Sequence, residues 1–459
     1  MCLFTRTQSE SFSSPQSSPL FSFSAKLTPE PAENLKRQKY LEDLCLFKGD
    51  DMAKTGSQLD KYLLHEMIGG GGFATVYRAT DTTLEREAAV KVLKEEFTNR
   101  PETRERFTQE ARKASGLSHP SIIQVYDLIE DPAAPAIAME YLPAGDLHRW
   151  LVDHPHPSRK FSLNVLRQAA DALDYIHEQG IVHRDVKPSN LLLASLPTSD
   201  DSVSIRLSDF GLVMPTEART AGPMGRLTGS ALYVSPEQAR NQSVDKFSDQ
   251  YSLGIVAYEL LVGRPPFEGN DVTVLMAKRV IEQPPVPSTV NEEVPSEVDK
   301  VLLQALALEP KDRFSSCKAF VDALDAALRN SDQRHFMELR QEGRELIAQD
   351  KFDLARQKLE EARRLMNTGD LQLDFDYLEG AEAWKNAIQK AKLVLGQNAN
   401  APDPQGIFLR LGLRAPQRRL PTREELKARL TPDQVTAGLV VTVLGIAFLI
   451  YLAYLWLIR

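Results

Sequence analysis

The run from His183 to Asn190 reads His-Arg-Asp-Val-Lys-Pro-Ser-Asn and gathers a carboxylate, an ammonium and a carboxamide into one short segment. Asp185 can accept a hydroxyl proton, Lys187 can steady a phosphoryl group in transit, and Asn190 can offer an oxygen to a metal ion. Downstream, Asp209-Phe210-Gly211 supplies a second carboxylate of the metal-ligating kind, beside a glycine that lets the backbone switch. Two oxygen ligands plus nucleotide phosphates suit magnesium, which prefers hard oxygens and keeps part of its water.

Upstream lies Ile68-Gly-Gly-Gly-Gly-Phe-Ala-Thr-Val76, set between two β-type runs. Residues without side chains let backbone N–H groups come close to phosphate oxygens, so Gly69, Gly70, Gly71 and Gly72, with Phe73 and Ala74, read as a phosphate-covering loop. Glycine clusters also build ordinary hairpin turns. The spacing G-x-G-x-x-G is met by Gly69 and Gly71, while its third position holds Ala74, which is small enough to keep the loop usable but slightly stiffer. In Ala88-Ala89-Val90-Lys91 a lysine ends an apolar run, where its ammonium could neutralise phosphate charge if a carboxylate held it. Glu110, on the next helical stretch, is placed to do so. Read singly, Lys91 is an exposed strand residue and Glu110 a solvated helix residue.

The elements that must position these groups fall into two kinds. From Tyr62 to about Leu142 the pattern is short β-type runs with one helical stretch around Arg104 to Ser115, which predicts a small sheet-rich lobe over 61–142. From Gly145 onward helix periodicity dominates, as in Leu163 to His177 and Tyr251 to Leu261, which predicts a larger helical lobe over 143–328.

With these motifs in this order, the chain resembles the eukaryotic-type, or Hanks-type, protein kinase family over roughly Tyr62 to Leu328. The resemblance implies an α+β, bilobal protein kinase fold with a β-rich N-lobe and a helical C-lobe. It implies that Lys91 and Glu110 form an ion pair, that Asp185 is the catalytic base aided by Lys187, and that Asn190 and Asp209 hold the metal. Lys187-Pro188 is similar to the serine/threonine branch. Ser235-Pro-Glu237 resembles the motif closing the activation segment, Arg313 the arginine pairing with its glutamate, and Asp249 the buried aspartate bracing the catalytic loop. Met139, Glu140 and Leu142 resemble the gatekeeper and hinge, with Ile68, Val76 and Ala89 covering the adenine, Leu192 as its floor and Asp146 at the ribose. Arg184 resembles the arginine that binds a phosphorylated activation loop, with Thr220 and Thr228, ahead of Thr216, as the acceptors; Ser230 stands where the family usually has threonine. ATP and Mg2+ are the implied cofactors, and serine and threonine hydroxyls of proteins, including this activation loop, the substrates. Tyr233 to Gln238 and the short route from this domain to a single span are similar to bacterial members.

The chain has 459 residues, 42% of them hydrophobic, enough for more than one folded unit. A net charge of -8 provides no basic field for a nucleic-acid backbone, so no nucleic-acid partner is expected. The three cysteines, Cys2, Cys45 and Cys317, are far apart and in no metal-ligand spacing, which predicts reduced thiols in a cytosolic compartment. Residues 1–60 open with a serine- and proline-rich stretch that predicts disorder, and Met52 could be the natural start. Residues 329–396 are charged and helix-favouring around a turn at Gln349 to Lys351, and predict a helical spacer or a tetratricopeptide-like helix pair. Residues 397–434 form a basic, proline-containing linker.

Val435 to Ile458 is an uncharged apolar run. At ~1.5 Å per residue it would reach ~36 Å as a helix, against ~30 Å of bilayer hydrocarbon, so it predicts a C-terminal transmembrane helix. Arg410, Arg414, Arg418, Arg419, Arg423, Lys427 and Arg429 precede it and only Arg459 follows, which places the kinase-like part on the cytoplasmic face of a membrane, by resemblance a bacterial one. Gly438 and Gly445 give a weak signal for helix pairing, through which a homodimer could phosphorylate itself in trans. A pseudokinase scaffold recruiting partners to the membrane is the competing reading. Such scaffolds typically lack the base, the lysine or a metal ligand, and here Lys91, Asp185, Asn190 and Asp209 are all present.

Overall fold

The computed structural model describes residues 55–210, 229–269 and 271–396. The expected N-terminal disorder, the activation-loop threonines Thr216, Thr220 and Thr228, the basic linker and the apolar run Val435 to Ile458 lie outside the described residues. The chain divides into two compact units, with the boundary after Asp325.

In the first unit, alternating burial builds an antiparallel sheet from β1 (Gln58–Leu59), β2 (Tyr62–Gly70), β3 (Ala74–Asp81), β4 (Arg86–Leu93), β5 (Val125–Ile129) and β6 (Ala136–Met139), in the order β1-β2-β3-β4-β6-β5. Both faces of β4 are covered. Ala88, Val90 and Val92 pack into one apolar cluster with Tyr62, Leu64 and Tyr77, whereas Ala89 and Leu93 join a second with Phe107 and Ala111. Those last two belong to helix α1 (Pro101–Ser115), whose first turn carries a proline that cannot donate a hydrogen bond there anyway. A side-chain period of two therefore puts Lys91 on the α1 side of the sheet, between Ala89 and Leu93. The helical period puts Glu110 beside buried Phe107, Ala111 and Ala114.

The rest of the unit is helical: α2 (Leu147–Asp153), α3 (Arg159–Glu178), α4 (Lys246–Val262), α5 (Val272–Ile281) and α6 (Ser296–Ala305). Side chains of Asp146, Ser158, Asp245 and Asp271 accept N–H bonds from the first turns of α2 to α5 and so fix where those helices begin. A two-stranded ribbon, β7 (Leu191–Leu193) with β8 (Ile205–Leu207), sits on the helical part. The segment before β5 bonds to it, with Leu207 N donating to Ser121 O and Ile123 N to Leu207 O. The two-lobed arrangement expected from the sequence is what folds. Helix α1 begins before the predicted Arg104, because Pro101 nucleates an extra turn.

Helix α7 (Cys317–Ala348) starts in the first unit and continues into the second. The second unit then adds α8 (Phe352–Leu365) and α9 (Gly369–Gly396), around a core of Phe336, Leu339, Ile347, Leu359, Leu371 and Leu378. The turn expected at Gln349 to Lys351 lies between α7 and α8, with Asp350 in the left-handed region at φ +60°. Gly343 gives α8 room, because a Cβ there would meet Leu359 at 2.8 Å. Three helical segments thus pack around this core. No helix among the described residues is long and apolar enough to cross a membrane.

Candidate active site

Folding brings Lys91, Glu110 and Asp209 together from β4, α1 and the end of β8. The Lys91 ammonium donates to Glu110 Oε1 at 3.0 Å and to Asp209 Oδ1 at 2.8 Å, bridging residues 118 apart in sequence. Burial works against the Lys91 charge, but the carboxylates of Asp209 and Glu110 outweigh it and raise its pKa. Glu110 is the most enclosed of the three, and burial pushes its pKa up despite the lysine. At Asp209 burial pushes the same way, and there Lys91 wins, holding the carboxylate below its ordinary value.

The catalytic-loop segment is held from several directions. Lys187 Nζ donates to Asp185 Oδ2 at 2.7 Å, and Asn190 Nδ2 donates to Asp185 O at 2.7 Å and to Oδ2 at 3.0 Å. Asp249, buried on α4, accepts the backbone N–H of His183 at 2.8 Å and of Arg184 at 2.7 Å, and its Oδ2 also meets His177 Nε2 at 2.8 Å. Gln238 Nε2 donates to the Arg184 carbonyl at 2.9 Å. These bonds pin both sides of Arg184, whose φ of +69° is unfavourable for a residue with a side chain. Asp209, at φ +57°, is the other strained residue of the site, and the Lys91 bond restrains it. His183 is buried, which depresses its pKa, and its ring lies 5.2 Å from that of Phe210.

The donor chemistry around Asn190 and Asp209 fits a magnesium ion. Asn190 spends its NH2 on Asp185, which leaves the amide oxygen as the atom that faces any cation, and Asp209 has a second carboxylate oxygen besides the one bonded to Lys91.

The residues expected to enclose a nucleotide meet in one apolar cluster: Ala74, Val76, Ala89, Met139, Leu142 and Leu192. Ile68 is exposed at the end of β2, ahead of the glycines. Gly71 N donates to Ala74 O at 2.9 Å to close the turn, and a Cβ placed on Gly69, Gly71 or Gly72 would meet nothing within 4 Å. The protein's own packing therefore does not require glycine at these three positions, which agrees with a backbone kept bare for a ligand. Phe73 packs its ring on Phe97 at 4.4 Å. Glu140 is half-buried; its backbone N–H is taken by Gln124 O and its side chain lies 3.6 Å from Arg206. Asp146 caps α2 through a bond from Arg149 N, and burial raises its pKa.

Below the site, Glu237 and Arg313 form a buried two-pronged pair at 2.8 and 2.9 Å, as the motif resemblance implied. Three contacts have no counterpart in the sequence reading. His177 braces Asp249, Gln238 holds the Arg184 carbonyl, and Arg279, fully buried on α5, donates to the carbonyls of Leu232 and Val234. The histidine stands six residues before His183 near the end of a predicted helix, and that spacing was the available signal. Arg279 gave none, because a lone arginine in an amphipathic helix reads as solvent-facing.

A model of the family described as "Protein kinase domain" matches residues 62–324. The serine/threonine-protein kinase PrkC of Bacillus subtilis is 37% identical over 258 residues, covering 56% of this chain and 39% of the relative. PknB of Mycobacterium tuberculosis is 37% identical over 263 residues, covering 56% of this chain and 41% of the relative. The chain thus spans about two fifths of the length of these curated relatives. The solved PknI kinase domain of M. tuberculosis has a TM-score of 0.48 and 30% identity, covering 60% of this chain and 98% of its own. From the glycine loop to the Glu237–Arg313 pair, over more than half its length, the chain belongs to the eukaryotic-type serine/threonine protein kinase family.

Proposed function

We propose that this protein transfers the γ-phosphoryl group of ATP to serine and threonine hydroxyls of proteins, including hydroxyls of its own activation loop. The observation that carries this reading is the pair of hydrogen bonds from Lys91 to Glu110 and Asp209, made while Asp185, Lys187 and Asn190 are tied together alongside. A scaffold without catalysis has no need of that set.

In this reading the hydroxyl of the acceptor lies against Asp185, which takes its proton as the oxygen attacks phosphorus. Lys187 sits one hydrogen bond from the same carboxylate and offsets charge on the phosphoryl group in flight. Lys91 is aimed by Glu110 at the remaining phosphates, and the apolar cluster around Ala89 and Leu192 takes the base and excludes water. Magnesium, held by Asn190 and Asp209, would neutralise phosphate oxygens. Arg184 stands next to the base for a phosphate on Thr220 or Thr228; a phosphothreonine adds roughly -1.5 to -2 charges at neutral pH.

The apolar run Val435 to Ile458 supports a single C-terminal membrane anchor, with the kinase on the cytoplasmic side of a bacterial membrane. Two chains meeting there could phosphorylate each other. The decisive test of the activity is Asp185→Asn, which should lower phosphate transfer to a generic protein substrate by roughly 10²- to 10⁴-fold while ATP still binds. Unchanged transfer would mean that another group takes the proton.

A further inference from the structure

Behind the catalytic loop, α3 and the start of α7 bring three potential ligand groups to one point. Asp174 and His177 lie one turn apart on α3, Cys317 opens α7, and one donor atom from each falls within 4.8 Å of the others. The Asp174 carboxylate accepts the N–H of Cys317 and of Lys318, each at 2.9 Å, so the first turn of α7 is fixed against α3. His177 commits Nε2 to Asp249. Its Nδ1 is buried with no hydrogen bond of normal length, only a long ion-pair contact to an Asp174 oxygen at 3.8 Å, and the side chain is only 6% exposed. Buried ring nitrogens left in this state are uncommon and call for an explanation.

The explanation lies in how imidazoles bind metals. A ligating histidine gives one nitrogen to the ion and the other, as N–H, to a carboxylate that fixes its orientation. His177 has the carboxylate on Nε2, and around its other nitrogen lie a sulfur and an oxygen. We propose that Asp174, His177 and Cys317 form a site for a borderline-soft divalent transition-metal ion of the zinc type. A sulfur, a nitrogen and a carboxylate oxygen are a zinc-like donor set, whereas magnesium and calcium take oxygens alone. The site is thereby chemically distinct from the all-oxygen pair Asn190 and Asp209. Asp174, 22% exposed at its side chain, is the way in, and water there completes four-coordination.

Without metal, burial and the carboxylates of Asp174 and Asp249 keep the Cys317 thiol protonated. Burial works against a charge on His177, but Asp174 and Asp249 outweigh it and raise its pKa to about 9. Metal binding expels the thiol proton and the proton on Nδ1. The site reaches the catalytic loop through one residue, since Asp249 also holds the backbone of His183 and Arg184. An ion here would set the orientation of the imidazole on which that aspartate leans.

The test uses the full chain carrying Cys2→Ser and Cys45→Ser, stripped with a chelator and titrated with Co2+ as a spectroscopic probe. The expected result is one equivalent bound, with a thiolate-to-cobalt charge-transfer band, the intense visible bands of a four-coordinate ion, and displacement of both by Zn2+. Cys317→Ser should abolish the charge-transfer band. Asp174→Asn, which keeps one of the two acceptor oxygens of the α7 cap, should weaken binding roughly tenfold or more. Circular dichroism shows whether each variant is folded, and if Cys317→Ser is not, Asp174→Asn decides. No charge-transfer band at stoichiometric cobalt, a band that survives Cys317→Ser, or unchanged affinity in folded Asp174→Asn would overturn the site. The cluster would then be an imidazolium held between two aspartates. None of these readouts depends on phosphate transfer.

Discussion

Lys91 is one residue asked to satisfy two carboxylates, and removing it tests whether its charge or its packing matters. In Lys91→Met the apolar stem still fills the space between Ala89 and Leu93. Glu110, whose pKa burial already raises, can take up a proton instead of remaining an unpaired buried charge. The variant should therefore fold, and kcat/KM should fall by about 10²- to 10³-fold, as when one preorganised donor is lost from a reacting centre. Steady-state kinetics beside a melting curve separate the two effects; normal catalysis would show that Lys91 touches nothing that reacts. At this scale the residue types taken singly say nothing about partnership, and the pairing of Lys91 with Glu110 was expected from the motif resemblance. Lys91 and Glu110 each look ordinary alone, and only the period of two along β4 and the helical period of α1 aim them at one another.

Among the elements, α4 carries most of the bracing, because Asp249 near its start bonds two backbone N–H groups of the catalytic loop. The neighbouring Glu237–Arg313 pair, with side chains 5% and 0% exposed, ties the end of the activation segment to the loop ahead of α7. Burial alone would raise the pKa of Glu237, but Arg313 holds it below the ordinary value. A carboxylate with a depressed folded-state pKa stabilises the fold above its unfolded value of about 4.3, and that contribution disappears as the pH falls through the lower, folded-state value. Glu237→Gln should thus cost about 3 kcal/mol at pH 7, leaving Arg313 buried without its anion, and the gap from the parent should close below about pH 4. Urea unfolding at a series of pH values measures it, and a pH-independent gap would contradict the charge argument. The helices themselves were legible from periodicity, and their starts follow from the capping side chains. What escaped was long-range hydrogen bonding by side chains with many alternatives, such as Gln238 and Arg279, for which local pattern holds no information.

At the scale of the whole molecule, the two compact units have separate cores, and the proposed anchor follows α9 in the sequence. Deleting Val435 to Arg459 should move the protein from the membrane fraction to the supernatant with its kinase activity intact; a protein that still pelleted with membranes would need a different attachment. The kinase fold was readable because its motifs are short, ordered and chemically constrained. The helical unit was readable only as helix-rich, since three packed segments and a looser spacer share the same composition. The second apolar cluster of the catalytic unit draws Ala74, Ala89 and Met139 from the sheet and Leu192 from β7, so the place proposed for adenine is also a seam in the domain's own interior. A nucleotide filling that seam acts as a missing piece of hydrophobic core, bound by the native chain and not by the unfolded one. At a hundredfold excess over its Kd it should add about 2.7 kcal/mol, so the melting temperature should climb with nucleotide concentration and the thermometer should report occupancy even in variants that no longer transfer phosphate.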